Sequence, residues 1–242
     1  MTKMIIIITV FSASIFSALL ADDNSIWAGP TRDNIYTETN LADSWPEDGP
    51  ELLWQFDSLG IGYSAVAVNS SGVYVTGMKS DRTGHLYAFN HDGSIKWTIP
   101  YGSEWHRGFP GTRSTPVIYE GLMYFESAQG VVFCIKPENG EIVWSKDLMN
   151  DYGGVNIQYG LSESILVDDD RVICTPGGSE HNLMALNRLT GEVIWTNSAK
   201  GEPPTYLTPS LIERNGSKFL VTMTSSSIMG IEFETGELLW SH

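Results

Sequence analysis

The side chains of this chain that are best suited to binding or proton transfer fall in loops between β-rich runs. The segment G-S-E-W-H-R-G at 102–108 places an indole, an imidazole and a guanidinium in succession. His106 could act as a base or a ligand near neutral pH, but the sequence offers no acid partner that can be located for it. The candidate ligand-binding residues, all expected near the mouth of a central channel, are Trp105, His106, Arg113, Tyr159, Glu163 and Tyr206.

Arg113 and Glu163 are the candidate pair of opposite charge. They occupy matching places at the start of successive β-rich units. An ion pair across the channel would either suit a polar ligand or line the channel with compensated charge, and we prefer the second interpretation. No residue is assigned a catalytic role.

The run Asp168-Asp169-Asp170 has the composition of a metal site but the position of a turn. It lies between L-V and R-V-I-C, where a strand-to-strand turn is expected, and acidic residues suit such turns. Its spacing does not match a calcium loop with a central glycine and a terminal Glu. HExxH, CxxC, GxSxG and glycine-rich phosphate motifs do not occur in the sequence. We therefore predict no metal site.

The elements that must position these residues repeat along the chain. A small residue, a turn ending in Gly and a Trp recur at 88–97, 134–144, 185–195 and 230–240. The period is about 40–50 residues, enough for four short strands, and this is typical of β-propeller blades. We predict an all-β propeller of about four four-stranded antiparallel blades, with the inner strands of the first two blades at 63–68 and 113–118.

The recurring phrase has a structural explanation in each of its positions. Its glycines close short hairpins that need positive φ, and its small residue leaves room for an indole to lie against the sheet. The tryptophans are therefore expected to join each blade to its neighbour. The residues given this structural role are Trp97, Trp144, Trp195, Trp240, Gly93, Gly140, Gly191 and Gly236.

The segment Ala185–Trp195, A-L-N-R-L-T-G-E-V-I-W, resembles the tryptophan-docking motif of pyrroloquinoline-quinone-type (PQQ-type) β-propeller repeats, with Asn187 in place of Asp. The other copies depart further from the motif, and the resemblance covers about 22–242. It implies a propeller of seven or eight blades. The sequence holds an additional outer-strand run, Glu51–Phe56, so we expect about half a propeller, from a truncated gene or an incomplete sequence; a dimer of half-propellers is the alternative.

The resemblance also implies possible cofactors. Quinoprotein dehydrogenases hold the quinone between a Trp and a disulfide of adjacent cysteines, beside calcium and a catalytic Asp. Cys134 and Cys174 are not adjacent, and calcium ligands cannot be placed. No cofactor is predicted, and PQQ with calcium is expected only if the chain is a dehydrogenase. The two cysteines are predicted to be small buried hydrophobes, with a disulfide between them as the alternative.

The N-terminal segment and the net charge of the chain indicate the compartment and the kinds of partner. Lys3 followed by an uncharged apolar run to Leu20 fits a signal peptide at 1–21. Residues 22–50 are expected to pack on the propeller as a leader pinned by Trp27 and Trp45, and 51–242 to form the repeats. The net charge of −15, from 29 acidic and 14 basic residues, argues against nucleic acid binding. No membrane span is expected after signal removal.

These observations favour a periplasmic or secreted, non-enzymatic propeller that scaffolds or binds a protein partner or an extended ligand. The resemblance leaves open a PQQ-dependent dehydrogenase of alcohols or sugars. A polysaccharide-binding module is a third possibility, and it requires exposed aromatic residues such as Trp105.

Overall fold

Four antiparallel sheets follow one another along the chain, each built from four consecutive strands. The computed structural model describes residues 23–36 and 39–242; the signal peptide predicted at 1–21 lies outside these ranges. The described residues contain sixteen strands and a single five-residue helix, α1 (Leu148–Tyr152). The prediction of an all-β chain with four-stranded blades is confirmed.

The strands in each blade pair in chain order. Blade 1 contains β1 (Ala67–Asn69), β2 (Gly72–Met78), β3 (Thr83–Phe89) and β4 (Ile95–Ser103). Blade 2 contains β5 (Val117–Tyr119), β6 (Leu122–Glu126), β7 (Val131–Ile135) and β8 (Ile142–Asp147). Blade 3 contains β9 (Leu166–Asp168), β10 (Arg171–Cys174), β11 (Leu183–Asn187) and β12 (Val193–Asn197). Blade 4 contains β13 (Ser210–Arg214), β14 (Ser217–Met223), β15 (Ile228–Glu232) and β16 (Leu238–Ser241).

The inner strands of the first three blades are shorter than the apolar runs predict, because their first residues bond to the neighbouring blade. The Ala65 backbone N–H donates to the Thr115 hydroxyl at 2.9 Å. The Thr115 N–H donates in turn to Ser164 Oγ at 3.2 Å, and the Ser164 N–H to Thr208 Oγ1 at 2.9 Å. This hydroxyl relay joins the four blades around the channel and satisfies backbone groups that a longer strand would pair within its own sheet.

Three tryptophans of the repeat each lie against the turn of the following blade. The Trp144 indole donates to the Arg188 carbonyl at 2.9 Å, and a Cβ added to Gly191 would lie 2.8 Å from its ring. Trp97 and Trp195 make the same contacts one blade earlier and one blade later. Glycine is required at each of these joints for two reasons. A Cβ would clash with the indole, and the backbone φ is positive.

The two ends of the series differ from the expected pattern. Glu51–Phe56 forms no strand, yet Trp54 lies on the Gly93 turn of blade 1 and donates from its indole to the His91 carbonyl at 3.0 Å. Trp240 was expected to join two blades, but its side chain packs over Gly230 of its own blade and is 48% exposed. The other indoles of the repeat are covered by the turn of the following blade. Trp240 contacts no such turn within the described residues, and its indole therefore stays half exposed.

The apolar core lies between adjacent sheets. One cluster fills each of the three spaces between consecutive blades. Cys134 and Cys174 belong to the same cluster, between blades 2 and 3, and both are free thiols. Burial raises the pKa of the Cys134 thiol to about 12. The disulfide considered from the sequence is not formed in this structure.

The leader lies across the inner strands at the end of the channel that carries the β1–β2, β5–β6 and β9–β10 turns. Ser25 pairs with Ile118 of β5 through two backbone hydrogen bonds, and the Arg32 guanidinium donates to the Val167 carbonyl at 2.6 Å. The sequence predicted Trp27 and Trp45 as the anchors of the leader, but these side chains are 44% and 71% exposed. Backbone pairing, Arg32 and the short polar side chains of Asp23 and Asn24 hold the leader, because a polar segment crossing strand edges finds unpaired backbone groups there.

Candidate functional site

The segments that precede the first strand of each blade bring aromatic side chains together at the end of the channel opposite the leader. The two ends are distinct because successive turns of an antiparallel sheet alternate between them. The side chains surround an open cavity of about 410 Å³. We call this the aromatic mouth, and its lining residues are Tyr63, Phe109, Arg113, Tyr159, Ser162 and Tyr206.

The aromatic rings of the mouth contact one another across the blades. Phe109 and Tyr159 meet edge to face with centroids 5.5 Å apart, and Tyr159 stacks on Tyr206 at 6.2 Å. The Arg113 guanidinium lies 5.3 Å from the centre of the Tyr63 ring and donates to the Phe109 carbonyl. Aromatic and cation–π pairs at such distances hold side chains in defined positions.

The mouth remains open to solvent although its members support one another. Phe109 is 65% exposed, Tyr63 58% and Tyr206 49%. The Tyr206 hydroxyl accepts a hydrogen bond from the Tyr159 backbone N–H at 3.2 Å, which ties the connections of blades 3 and 4 together. Exposed aromatic groups held in fixed positions form a surface suited to contact with another molecule.

The structure brings together only part of the predicted set. Arg113, Tyr159 and Tyr206 meet in the mouth, as expected for equivalent places in successive blades. Glu163 does not meet Arg113, because its carboxyl group is turned into the protein and is only 5% exposed. The predicted ion pair across the channel is therefore wrong. Phe109 also lines the mouth, although the sequence did not predict it. An apolar residue in a loop gives no signal of binding by itself.

Glu163 lies instead in a buried acidic pair with Glu126. Both carboxyl oxygens of Glu126 and Oε1 of Glu163 are buried without a hydrogen-bond partner among the described residues. Burial raises the pKa of Glu163 to about 8. Burial, together with the nearby Glu163 and Glu104 carboxyl groups, raises the pKa of Glu126 well above its usual range. Glu163 therefore favours the protonated form near neutral pH, and the shift in the pKa of Glu126 has the same direction.

Trp105 and His106 line a second cavity of about 500 Å³, beside the mouth. Trp105 is only 6% exposed, and its indole N–H donates to the Gly108 carbonyl at 3.1 Å. The expectation that Trp105 presents an exposed aromatic platform is wrong, because the ring packs beneath its own loop, in contact distance of Gly160. His106 is exposed, with Nδ1 3.3 Å from the Glu104 carbonyl.

The donor set does not fit the cofactors that the quinoprotein resemblance implies. Within residues 23–36 and 39–242, no three His, Cys, Asp or Glu side chains are grouped so that they could hold a metal ion. Cys134 and Cys174 belong to different blades and are both free. Asp168 and Asp169 pair with Lys218 at the leader end of the channel. We therefore derive no catalytic step through a quinone or calcium.

In the part of the chain that the structure describes, no helix has the length and apolarity needed to cross a membrane.

Curated relatives match parts of the chain. Outer membrane protein assembly factor BamB of Kangiella koreensis is 30% identical over 138 residues, which covers 55% of this chain and 31% of the relative. Quinoprotein alcohol dehydrogenase PedH of Pseudomonas putida is 25% identical over 168 residues, covering 60% of this chain and 24% of the relative. The chain thus spans less than a third of the length of either relative.

Solved structures share the fold at low sequence identity. BamB from Moraxella catarrhalis aligns with a TM-score of 0.51 at 18% identity, covering 80% of this chain and 56% of that chain. A europium-containing methanol dehydrogenase aligns with a TM-score of 0.55 at 13% identity, covering 79% and 43%. These likenesses support the propeller fold alone. The family model described as outer membrane protein assembly factor BamB matches residues 83–242, and the chain therefore belongs to this family of PQQ-like β-propeller repeat proteins.

Proposed function

We propose that the protein is a non-catalytic scaffold outside the cytoplasm and that its aromatic mouth binds a segment of a partner protein. The observation that carries this proposal is the mouth itself: Tyr63, Phe109 and Tyr206 are each about half exposed or more, and each is contributed by a different part of the chain. Tyrosine and arginine are enriched among the residues that dominate protein–protein binding.

The chemistry of the mouth fits an extended, partly apolar segment. Arg113 is the one charged residue among those lining the cavity, and its guanidinium already stacks on Tyr63. A partner would therefore cover a mainly aromatic surface at little cost in desolvated charge. Since the rings are supported by each other, little side-chain freedom is lost on binding.

The comparisons support protein binding but leave the partner open. The Kangiella koreensis relative is named as an outer membrane protein assembly factor, and we carry over from it only the binding of protein partners. The apolar run after Lys3 supports a location in the periplasm or outside the cell.

Site-specific photo-cross-linking tests the proposal. A photoreactive phenylalanine analogue in place of Phe109 should give a discrete adduct with a protein in cells, and Tyr206→Ala should weaken that adduct. Truncation of a central binding residue costs about 2 kcal/mol or more, or roughly a 30-fold loss of affinity. The control places the analogue at Tyr36, which is 56% exposed in the leader. Equal adducts at both positions, or none at Phe109, would contradict the proposal.

A second experiment tests the non-catalytic part. The full-length protein is incubated with PQQ and calcium, and dye-linked oxidation of alcohols and sugars is measured. Stoichiometric quinone binding with turnover would overturn the proposal in favour of a dehydrogenase. Absence of turnover with a PQQ-binding control enzyme active under the same conditions would support it.

A further inference from the structure

The cavity beside the aromatic mouth differs from it in chemistry. It is formed where the β4–β5 and α1–β9 connections pass over the β6–β7 turn, and it has a volume of about 500 Å³. This is within the usual range of small-molecule sites, about 300–1,000 Å³. We call it the carboxamide cavity, and its lining residues are Trp105, His106, Arg107, Gln129, Asn156, Ile157 and Gln158.

Arg107 provides a guanidinium that the protein does not use elsewhere. Its Cζ lies 5.8 Å from the centre of the Trp105 ring, and no hydrogen bond or ion pair joins it to another of the described residues. The indole wall therefore orients the planar guanidinium while its N–H groups remain available. Such a fork matches the two oxygens of a carboxylate.

Hydrogen-bonding groups of both kinds accompany the arginine. Gln129 donates through Nε2 to the Glu104 carbonyl at 3.1 Å, which leaves its Oε1 as an acceptor. Gln158 is exposed, and neither end of its carboxamide bonds to a described residue. His106 contacts the Glu104 carbonyl through Nδ1 and keeps Nε2 free. Carboxamides both donate and accept, so they suit vicinal hydroxyl groups, which do the same.

Carboxylates are absent from the lining residues of this cavity, although the chain has 29 acidic against 14 basic residues. The nearest acidic side chain in sequence, Glu104, is turned inward. Its Oε1 accepts from the Tyr101 hydroxyl at 2.7 Å, and its Oε2 accepts from the backbone N–H groups of Trp105 and Ala128 at 3.0 and 3.1 Å. The cavity is thus a cationic, hydroxyl-matching site in an acidic protein.

We propose that the carboxamide cavity binds an acidic saccharide, with a uronate carboxylate on Arg107 and ring hydroxyls on Gln129 and Gln158. A saccharide fits the lining better than a peptide end, because the cavity offers a single aliphatic side chain, Ile157, for an apolar residue. Trp105 acts as the wall behind Arg107. This site is independent of the aromatic mouth.

Calorimetric titration of the full-length protein tests the site with three probes: glucuronate, glucose and acetate. Glucuronate should bind more tightly than either of the others, because only glucuronate has both the carboxylate and the hydroxyls. Arg107→Gln should weaken glucuronate binding roughly tenfold or more, the usual range for a hydrogen bond to a charged group. Arg214→Gln, at the exposed end of β13 in blade 4, is the matched control and should leave binding unchanged.

Each alternative outcome bears on the proposal. Absence of glucuronate binding to the native protein would overturn it, as would an equal loss in the Arg107→Gln and Arg214→Gln proteins. Equal affinity for acetate and glucuronate would show a simple anion site and would also overturn it. Gln158→Ala adds a separate readout: it should weaken glucuronate binding and leave acetate unaffected. Tyr63→Ala, at a mouth residue that does not line the cavity, should not change glucuronate binding, so the mouth and the cavity can fail independently.

Discussion

Replacing Glu163 by Gln should make the protein more stable at alkaline pH and should have much less effect near pH 5. Glu163 is 5% exposed, and burial raises its pKa from 4.5 to about 8. The folded protein therefore retains a proton that the unfolded chain releases above pH 4.5. Because the folded-state pKa is the higher one, stability is lost as pH rises from about 4.5 to about 8.

The size of the effect follows from the difference between the two pKa values. One unit corresponds to about 1.4 kcal/mol, so the loss accumulated by pH 8 or above is on the order of 4 to 5 kcal/mol. Glutamine has nearly the same shape and cannot ionise, so Glu163→Gln removes this loss. The titratable groups near Glu163 are Glu126, its partner in the buried pair, Glu104, which acts on Glu126, and the Cys174 thiol, whose pKa is also raised by burial. They remain in the variant, but the Glu163 carboxyl is one cause of the raised pKa of Glu126, so Glu163→Gln lessens that rise as well. Both effects reduce the loss of stability at alkaline pH, and the comparison reports on the buried pair.

The measurement is the free energy of unfolding in urea at pH 5, 7 and 9 for the native protein and the variant. The gain from Glu163→Gln should grow with pH and reach several kcal/mol at pH 9. Glu213→Gln, at an exposed position of β13, is the matched control and should not reproduce the gain of several kcal/mol at pH 9. A gain for Glu163→Gln that is equal at pH 5 and pH 9 would refute the reasoning, because an uncharged packing effect has no such pH dependence.

Three further predictions concern the joints between blades. Trp195→Phe loses the indole bond to a backbone carbonyl of blade 4 and should cost about 1–3 kcal/mol in urea unfolding, while Trp240→Phe, at a half-exposed position, should cost less than 1 kcal/mol. Gly191→Ala should destabilise by several kcal/mol more than Gly121→Ala in the same assay, since both have positive φ but only the former meets an indole. Cys134 should resist thiol reagents at pH 8 until the protein unfolds, because burial keeps its thiol protonated; rapid native labelling would contradict this.

The repeat phrase carried most of the information about the fold. A turn glycine and a tryptophan at fixed spacing specify a hairpin and a joint, and both features are local in sequence. The inner strands were harder to predict, because an apolar run such as 63–68 looks the same whether it pairs with its own sheet or with the next blade. The hydroxyl of Thr115 decides between the two, and its partner lies in a different repeat.

The candidate site was predictable to the extent that it depends on repeat position. Arg113 and Tyr206 were found because equivalent connections converge on one end of the channel. Glu163 was misplaced because adjacent side chains in an extended segment point in opposite directions: Ser162 lines the mouth, while Glu163 is buried between blades. A single sequence gives the alternation but not which of the two faces is turned outward.

The hydroxyl relay through Thr115, Ser164 and Thr208 has a consequence for how recognition can diverge in this fold. Each bond fixes the height of one blade relative to the next along the channel axis. The loops of the mouth are carried by these blades, so their spacing is set beneath the surface that meets a partner. Mouth residues whose side chains donate or accept no hydrogen bond between blades among the described residues, such as Tyr63 and Phe109, can therefore be exchanged for other side chains without moving the frame that presents them. At these positions, specificity and architecture are encoded in separate residues.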